Sequence, residues 1–168
     1  MVSRKSLIFL LAVLFAAGAV FFWIHRKKDD RRMILENLRI LERLVSVKEG
    51  DNRRSLLAMI RDVRNILENP CELALDEGGI SGAYTPPEIS NLVLRFQAQV
   101  VRARLSFHDV NIVFLKKGVA DITCTGHLKG RIRTGERLDE FRELRIEVVK
   151  TDGGWKFTRF QTVEALEK

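Results

Sequence analysis

Histidine, the side chain that titrates near neutral pH, occurs three times in this 168-residue chain. One copy, His127, stands six residues after Asp121, an even spacing that puts both on one face of a β-strand, with Thr123 and Thr125 between them. A second forms the pair His108-Asp109 a little upstream, and Tyr84 is the sole tyrosine. A carboxylate or imidazole works as a general base only within hydrogen-bond reach of the proton it takes, with its pKa tuned by burial or a neighbour. Tyr84, His108, Asp109, Asp121 and His127 are therefore the candidates for acid–base chemistry or for polar contacts in a pocket. The alternate positions around Asp121 are Ala120, Ile122, Cys124, Gly126 and Leu128. If that apolar set packs inward, Asp121 and His127 point outward into solvent. His108-Asp109 fits a turn or strand edge, and Tyr84 a loop anchor.

No nucleophile elbow, Gly-rich phosphate loop or ligand cluster at metal spacing accompanies these residues, so the sequence nominates no catalytic residue, metal or cofactor. Cys71 and Cys124 lie 53 residues apart with no CxxC. They read as buried thiols acting as small hydrophobes, with a disulfide as the alternative if the domain faces an oxidising compartment. A second polar set comprises Arg142, Glu143 and Arg145 on one face of a strand with Glu147 beyond, and Arg131, Arg133 and Arg137 near its start. Alternating signs across antiparallel strands suit cross-strand pairing on a solvated face; a docking surface for an acidic partner is the alternative.

The elements that must position these groups change character midway along the chain. Met33–Val47 places Ile34, Leu38, Leu41 and Val45 at helical spacing, and Glu49–Asn52 breaks the pattern. A second helix over about 53–68 repeats it with Leu56, Ile60, Val63 and Leu67, and Pro70 stops continuation. Cys71–Leu75 is a short strand, ended by Gly78-Gly79. Thr85-Pro86-Pro87-Glu88 is a capping box with proline in the first turn, starting a third helix that buries Ile89, Leu92, Phe96 and Val100. From residue 103 the period becomes 2. Val110, Ile112 and Phe114 alternate before a turn at Lys116-Lys117-Gly118, and the Ala120–Leu128 strand follows. A third strand carries Phe141, Leu144, Ile146 and Val148. After an Asp152-Gly153 hairpin, the last strand sets Trp155, Phe157 and Val163 on one face and Phe160 on the other. Helices first and an antiparallel meander afterwards give an α+β fold, with helices on one face of a curved antiparallel sheet.

Ahead of this domain lies an uncharged run, Leu7–Ile24, flanked by Arg4 and Lys5 and by Arg26, Lys27, Lys28, Arg31 and Arg32. As a helix it would be about 27 Å long, enough to cross a bilayer's hydrocarbon, and Trp23 sits where an interfacial aromatic belongs. The division is a basic tail (1–6), a transmembrane signal anchor (7–24) whose partner is the lipid bilayer, a basic juxtamembrane segment (25–32) and an α+β domain (33–168). A cleaved secretory signal is the alternative, with Ala17-Gly18-Ala19 as its cleavage pattern. The net charge of +7 looks like a nucleic-acid signature until it is divided. Residues 1–32 hold seven Lys/Arg against two Asp, whereas 33–168 hold 22 against 20 Asp/Glu. A nucleic-acid binder wants its basic stripe on the folded part, so no nucleic-acid partner is expected.

The order of two helices, short strand, helix and meander, closing on Thr151-Asp152-Gly153-Gly154-Trp155-Lys156-Phe157, resembles the nuclear-transport-factor-2-like superfamily (cystatin-like cone, with its SnoaL-like branch). The resemblance covers about residues 33–165. It implies a conical pocket between the concave face of the sheet and the helices, serving some members as an active site and others as a partner surface. It also implies self-association through the sheet, covering exposed apolar residues such as Val113, Leu115 and Phe160. The chain is similar in layout to anchored bacterial proteins with one such domain, including inner-membrane assembly proteins of secretion systems. The positive-inside rule would keep the domain in the cytoplasm; the resemblance favours a single-pass protein of the bacterial inner membrane with its domain on the periplasmic side. The functional expectation is a non-catalytic interaction or accessory domain, dimeric, with an envelope protein as further partner. The alternatives are a small-ligand binder or enzyme using the cone, and an assembly component of an envelope or secretion complex.

Overall fold

The computed structural model describes residues 29–48, 56–75 and 79–163. The Leu7–Ile24 anchor and the helix break at Glu49–Asn52 lie outside the described residues. Among those described, no helix is long and apolar enough to cross a membrane. Residues 34–163 belong to one compact unit, separate from the unit that holds residues 1–33.

Three helices pack on one face of a six-stranded sheet. The first helix, α1, occupies residues 29–45; α2 spans Leu56–Ile66 and α3 spans Pro86–Gln99. The strands are β1 (Leu67–Leu75), β2 (Ile80–Tyr84), β3 (Val100–Lys116), β4 (Val119–Ile132), β5 (Arg137–Thr151) and β6 (Gly154–Thr162). They lie side by side in the order β2-β1-β6-β5-β4-β3. All neighbours are antiparallel except β1 and β6, which run parallel. The sheet is thus mixed, not the purely antiparallel one read from the sequence. After the β1–β2 hairpin, α3 carries the chain to the far edge, and three reversals bring β6 back alongside β1 in the same direction.

The capping box forms as its residues dictate: the Glu88 carboxylate accepts hydrogen bonds from the Thr85 N–H and hydroxyl, both at 2.7 Å. At the other end of α3 no basic side chain of its own serves the last turn. Arg133, from the β4–β5 turn, donates there instead, through Nε to the Ala98 carbonyl (2.7 Å) and through its backbone N–H to that of Gln99 (2.9 Å). Gln97 of α3 in turn donates to the Leu44 carbonyl at the end of α1 (2.7 Å). The helix ends are tied to one another by long-range partners.

Several local expectations change. On α1, Leu44 is buried where Val45 was expected. On α2 the inward stripe is Met59, Val63 and Ile66; the helix stops at Ile66, and Leu67 and Pro70 belong to β1. Phe141 sits exposed on the opposite face from Leu144, Ile146 and Val148. Phe160 is buried beside Phe157, their ring centroids 5.3 Å apart, because a bulge sets Glu147 opposite Arg159 but Val148 opposite Phe157. The extra residue, Thr158, lets two aromatics three apart face the same way.

As the sheet's edge strand, β3 would present unpaired N–H groups. The end of α1 meets them: the N–H of Ala103 donates to the Val47 carbonyl (3.0 Å), that of Leu105 to Ser46 Oγ (3.0 Å) and that of Phe107 to Glu42 Oε1 (2.8 Å). A bulge at His108/Asn111 then places Asp109 and Val110 opposite Cys124, with Asp109 at a positive φ of 52°.

Candidate functional site

Among the described residues, the face of the sheet that meets the helices is apolar and buried. Ile34, Leu38 and Leu44 of α1 and Met59, Val63 and Ile66 of α2 meet Ile122, Cys124, Ile146, Val148, Trp155 and Phe157 from the sheet, all 3% exposed or less. Phe114 closes edge-on against Trp155, centroids 5.8 Å apart. Among the described residues the one buried polar side chain is Ser90, whose hydroxyl donates to the Pro86 carbonyl at 2.7 Å. No carboxylate, imidazole or guanidinium side chain among the described residues is wholly buried; Glu68 buries one carboxylate oxygen, Oε2, and Arg159 its Nε, which lies 3.5 Å from Glu72 Oε2.

The two cysteines are the interior's nucleophile candidates, and both are free and buried. Burial pushes the Cys71 thiol up from 9.0 to about 12, with the charges of Glu72 and Glu68 adding to it. Burial likewise raises the Cys124 thiol from 9.0 to about 11, helped by Glu143. A thiol needs the opposite shift to become a reactive thiolate at neutral pH. These two are packing groups, and the alternative of a disulfide is not the form the fold takes.

The sequence candidates cluster, with one exception, on the sheet's other face. Register places Asp121 beside Glu147 and Val113, and His127 beside Phe141 and Ser106, all pointing away from the helices. Asp121 accepts hydrogen bonds from Arg145, through Nε at 3.1 Å and through a second, shorter contact from Nη2. That pairing raises the Arg145 pKa further, the hydrogen bond being the chief cause. Thr125 donates to Glu143 at 3.0 Å. His127 Nε2 lies 2.7 Å from Asp139 Oδ1, and its ring stacks on Phe141 at 3.9 Å and 11°. The imidazole holds the Asp139 carboxyl below its ordinary range.

His108 joins this group from β3. Its Nε2 sits 3.1 Å from Ser106 Oγ, and its ring lies 6.1 Å from that of His127. This is not a nucleophile–base–carboxylate relay. The serine is bonded to one histidine and the carboxylate to the other, and the rings are too far apart to pass a proton directly. Among the described residues no group of three ligating side chains could hold a metal. Asp109 is exposed at its bulge. Tyr84 is the exception, ending β2 at the opposite edge of the sheet, where its hydroxyl donates to the Ser81 carbonyl at 3.5 Å.

Sequence reasoning paired the charges of β5 but missed two points. Arg142 lies on the opposite face from Glu143 and Arg145 and pairs with Glu140 at 2.9 Å. Asp139 and Phe141, which hold His127, were invisible as its partners until the β4–β5 register was known; the Gly130–Glu136 turn between the strands was the signal for it.

A cleft of about 970 Å³ opens at the end of the sheet, between the C-terminal end of α1 and the strand ends of β3, β4 and β5. Its floor includes Val47, Ala103, Gly130 and Leu138. Gly130 is required there, since a Cβ would stand 2.4 Å from the Arg102 carbonyl oxygen and 3.0 Å from the Ala103 Cα. Register sets Arg102, Arg131 and Arg137 directly side by side across three strands, with Arg104, Lys129 and Asp139 in the next row.

No protein-family model matches the chain, and no curated protein matches it. Solved structures do. A nuclear transport factor 2-like superfamily protein from Salmonella enterica superposes with a TM-score of 0.64 at 11% identity, over 84% of this chain and 95% of that one. A protein of the same likeness with a cystatin-like fold, from Novosphingobium aromaticivorans, gives 0.60 at 14% identity, over 96% and 90%. A hexachlorocyclohexane dehydrochlorinase, LinA-type3, from Novosphingobium barchaimii gives 0.66 at 13% identity, over 82% and 87%. The fold is that of the nuclear-transport-factor-2-like, cystatin-like cone. At these identities the likeness speaks to the fold alone, and the fold hosts both enzymes and non-enzymes.

Proposed function

We propose that this chain is a membrane-anchored, non-catalytic interaction domain that self-associates through the outer face of its sheet. The observation that carries this reading is the chemistry of the interior: among the described residues, the fully buried side chains between helices and sheet are apolar, the two thiols and Ser90 aside. A dehydrochlorinase of the same fold makes an enzyme worth weighing, but the cone here offers no base or acid among the described buried residues.

The outer face supports association instead. Val113 and Leu115 are 48% and 58% exposed near one end of the face, and Phe141 is 56% exposed towards the other. Their partners on β4, Asp121 and His127, are six residues apart, which separates the apolar spots by about 20 Å. A two-fold axis lying across the strands sets each end of this face against the opposite end of the partner's. Val113 and Leu115 of one protomer then cover Phe141 of its partner, with the Thr123, Thr125 and Arg145 rows near the axis.

The anchor reading rests on Leu7–Ile24 and its basic flanks; the exported side of a bacterial inner membrane rests on the family resemblance, against the positive-inside rule, and there an envelope assembly would supply further partners. An alkaline-phosphatase fusion at residue 168 that is active reports export; an inactive one, with a working cytoplasmic reporter, reverses the side. Recovery of the intact chain in soluble extract without detergent would end the anchor reading. Sedimentation of residues 29–168 tests association: a dimer at tens of micromolar is expected, and a monomer throughout would refute it.

A further inference from the structure

Like charges directly opposite one another across strands are destabilising. Arg102, Arg131 and Arg137 form such a row of three, in a domain whose overall charge is nearly balanced. The conflict is not relieved locally. Among the described residues none of the three guanidiniums has a carboxylate partner. Of the cleft's two acids, Glu42 accepts from the Phe107 N–H, and Asp139 is held by His127 with the charge of Lys129 also acting on it. Arg104 and Lys129 flank the row, and Arg43 and Lys48 face it from the end of α1, so seven cationic side chains line the cleft against those two acids. Arg133, which could have joined them, is spent on the end of α3.

A local rule broken without compensation marks a place shaped for something other than stability. We propose that this cleft is a binding site for a compact, multiply charged phosphate compound. Guanidinium forks suit phosphate oxygens bidentately, and a ligand carrying several negative charges matches the surplus where a single carboxylate does not. Size selects among polyanions. With strands about 4.8 Å apart and rows about 7 Å apart, the arginine row and its neighbour span roughly 10 by 7 Å. That is far below the roughly 600 Å² buried by even a small nucleic-acid-binding module, and the concave floor excludes a flat bilayer surface. The cleft's volume lies within the range of small-ligand sites. By register the arginine row lies on the same outer face as His127, two rows beyond Phe141; the proposal rests on that row and not on the dimer.

The test is calorimetric titration of the full-length chain, in neutral detergent, with inorganic tripolyphosphate. Saturable binding at one site per chain is expected, weakening steeply with salt. The triple variant R102Q/R131Q/R137Q should bind about tenfold more weakly or worse, while R61Q, on the exposed α2 surface, should bind as the parent does. The triple variant should also unfold at a temperature no lower than the parent's, since it relieves the repulsion, and tripolyphosphate should raise the parent's midpoint but not the variant's. Dioctanoyl phosphatidic acid competing for the site assigns a lipid headgroup as source; no competition assigns a free phosphate compound. Absence of saturable binding at millimolar tripolyphosphate overturns the proposal. So does a triple variant that binds as tightly as the parent, or a single-stranded RNA that binds tighter than tripolyphosphate.

Discussion

The two faces of this sheet are made from alternate residues of the same strands, yet they are held by different physics. Inward, Ile122, Ile146, Val148 and Phe157 are sealed against three helices, and among the described residues the wholly buried ionisable side chains are the two thiols, kept protonated. Outward, Asp121–Arg145, Thr125–Glu143 and His127–Asp139 pair across strands, with Arg145 and Asp139 open to water and Asp121 and His127 mostly covered. Apolar burial contributes roughly 25 cal/mol per Å², whereas exposed ion pairs contribute little. Stability therefore belongs to the inner face, leaving the outer face and the sheet's end free to specify partners.

The sharpest test of that division removes the same ring from each side. Phe157→Ala should cost about 3–5 kcal/mol in denaturant unfolding, and Phe141→Ala less than about 1 kcal/mol of monomer stability, the worth of its stacking on His127. Equal costs would erase the distinction. The next largest effect falls on association. Leu115→Asp and Phe141→Lys should each shift the dimer to monomer in sedimentation, and the two combined should restore it, because the opposed ends would then meet as an ion pair. A double variant that stays monomeric rejects the end-to-end arrangement.

Smaller effects titrate. Both thiols have folded-state pKa values above 9.0, so their contribution is fully present below pH 9 and is lost as pH rises towards 11 and 12. Unfolding midpoints should decline over that window, and less steeply when both cysteines are replaced by alanine. At pH 8 a thiol reagent should label the native protein far more slowly than the unfolded one. The Asp139 carboxyl is shifted the other way: its contribution holds above its ordinary value of 3.8 and fades as pH falls below it. Carbon-13 titration of Asp139 should show its pKa moving back up in H127Q; no movement would mean that His127 is not what holds it.

Much of the fold was legible in the residues. The capping box at Thr85 and the inward set Ala120–Leu128 are local signals that formed as read; the change of period came earlier than residue 103, since Val100 opens β3 instead of ending α3. The outward orientation of Asp121 and His127 followed from the same alternation. What stayed illegible depended on register. Phe160 was assigned outward because strict alternation cannot anticipate the extra residue at Thr158, and the mixed sheet was missed because β1 and β6 are nearly ninety residues apart. Pro70 read as a helix stop, yet it lies within a strand, where tertiary pairing overrides a local cue.

The sequence by itself determined an α+β domain with one apolar and one polar strand face, because side-chain period is a property of neighbouring residues. Only the tertiary structure decided which apolar side chains the helices and sheet bury together, that Asp139 and Phe141 hold His127, and that Arg102, Arg131 and Arg137 stand in one row. Those juxtapositions join residues whose spacing along the chain says nothing of their distance, since strand pairing and bulges fix who meets whom.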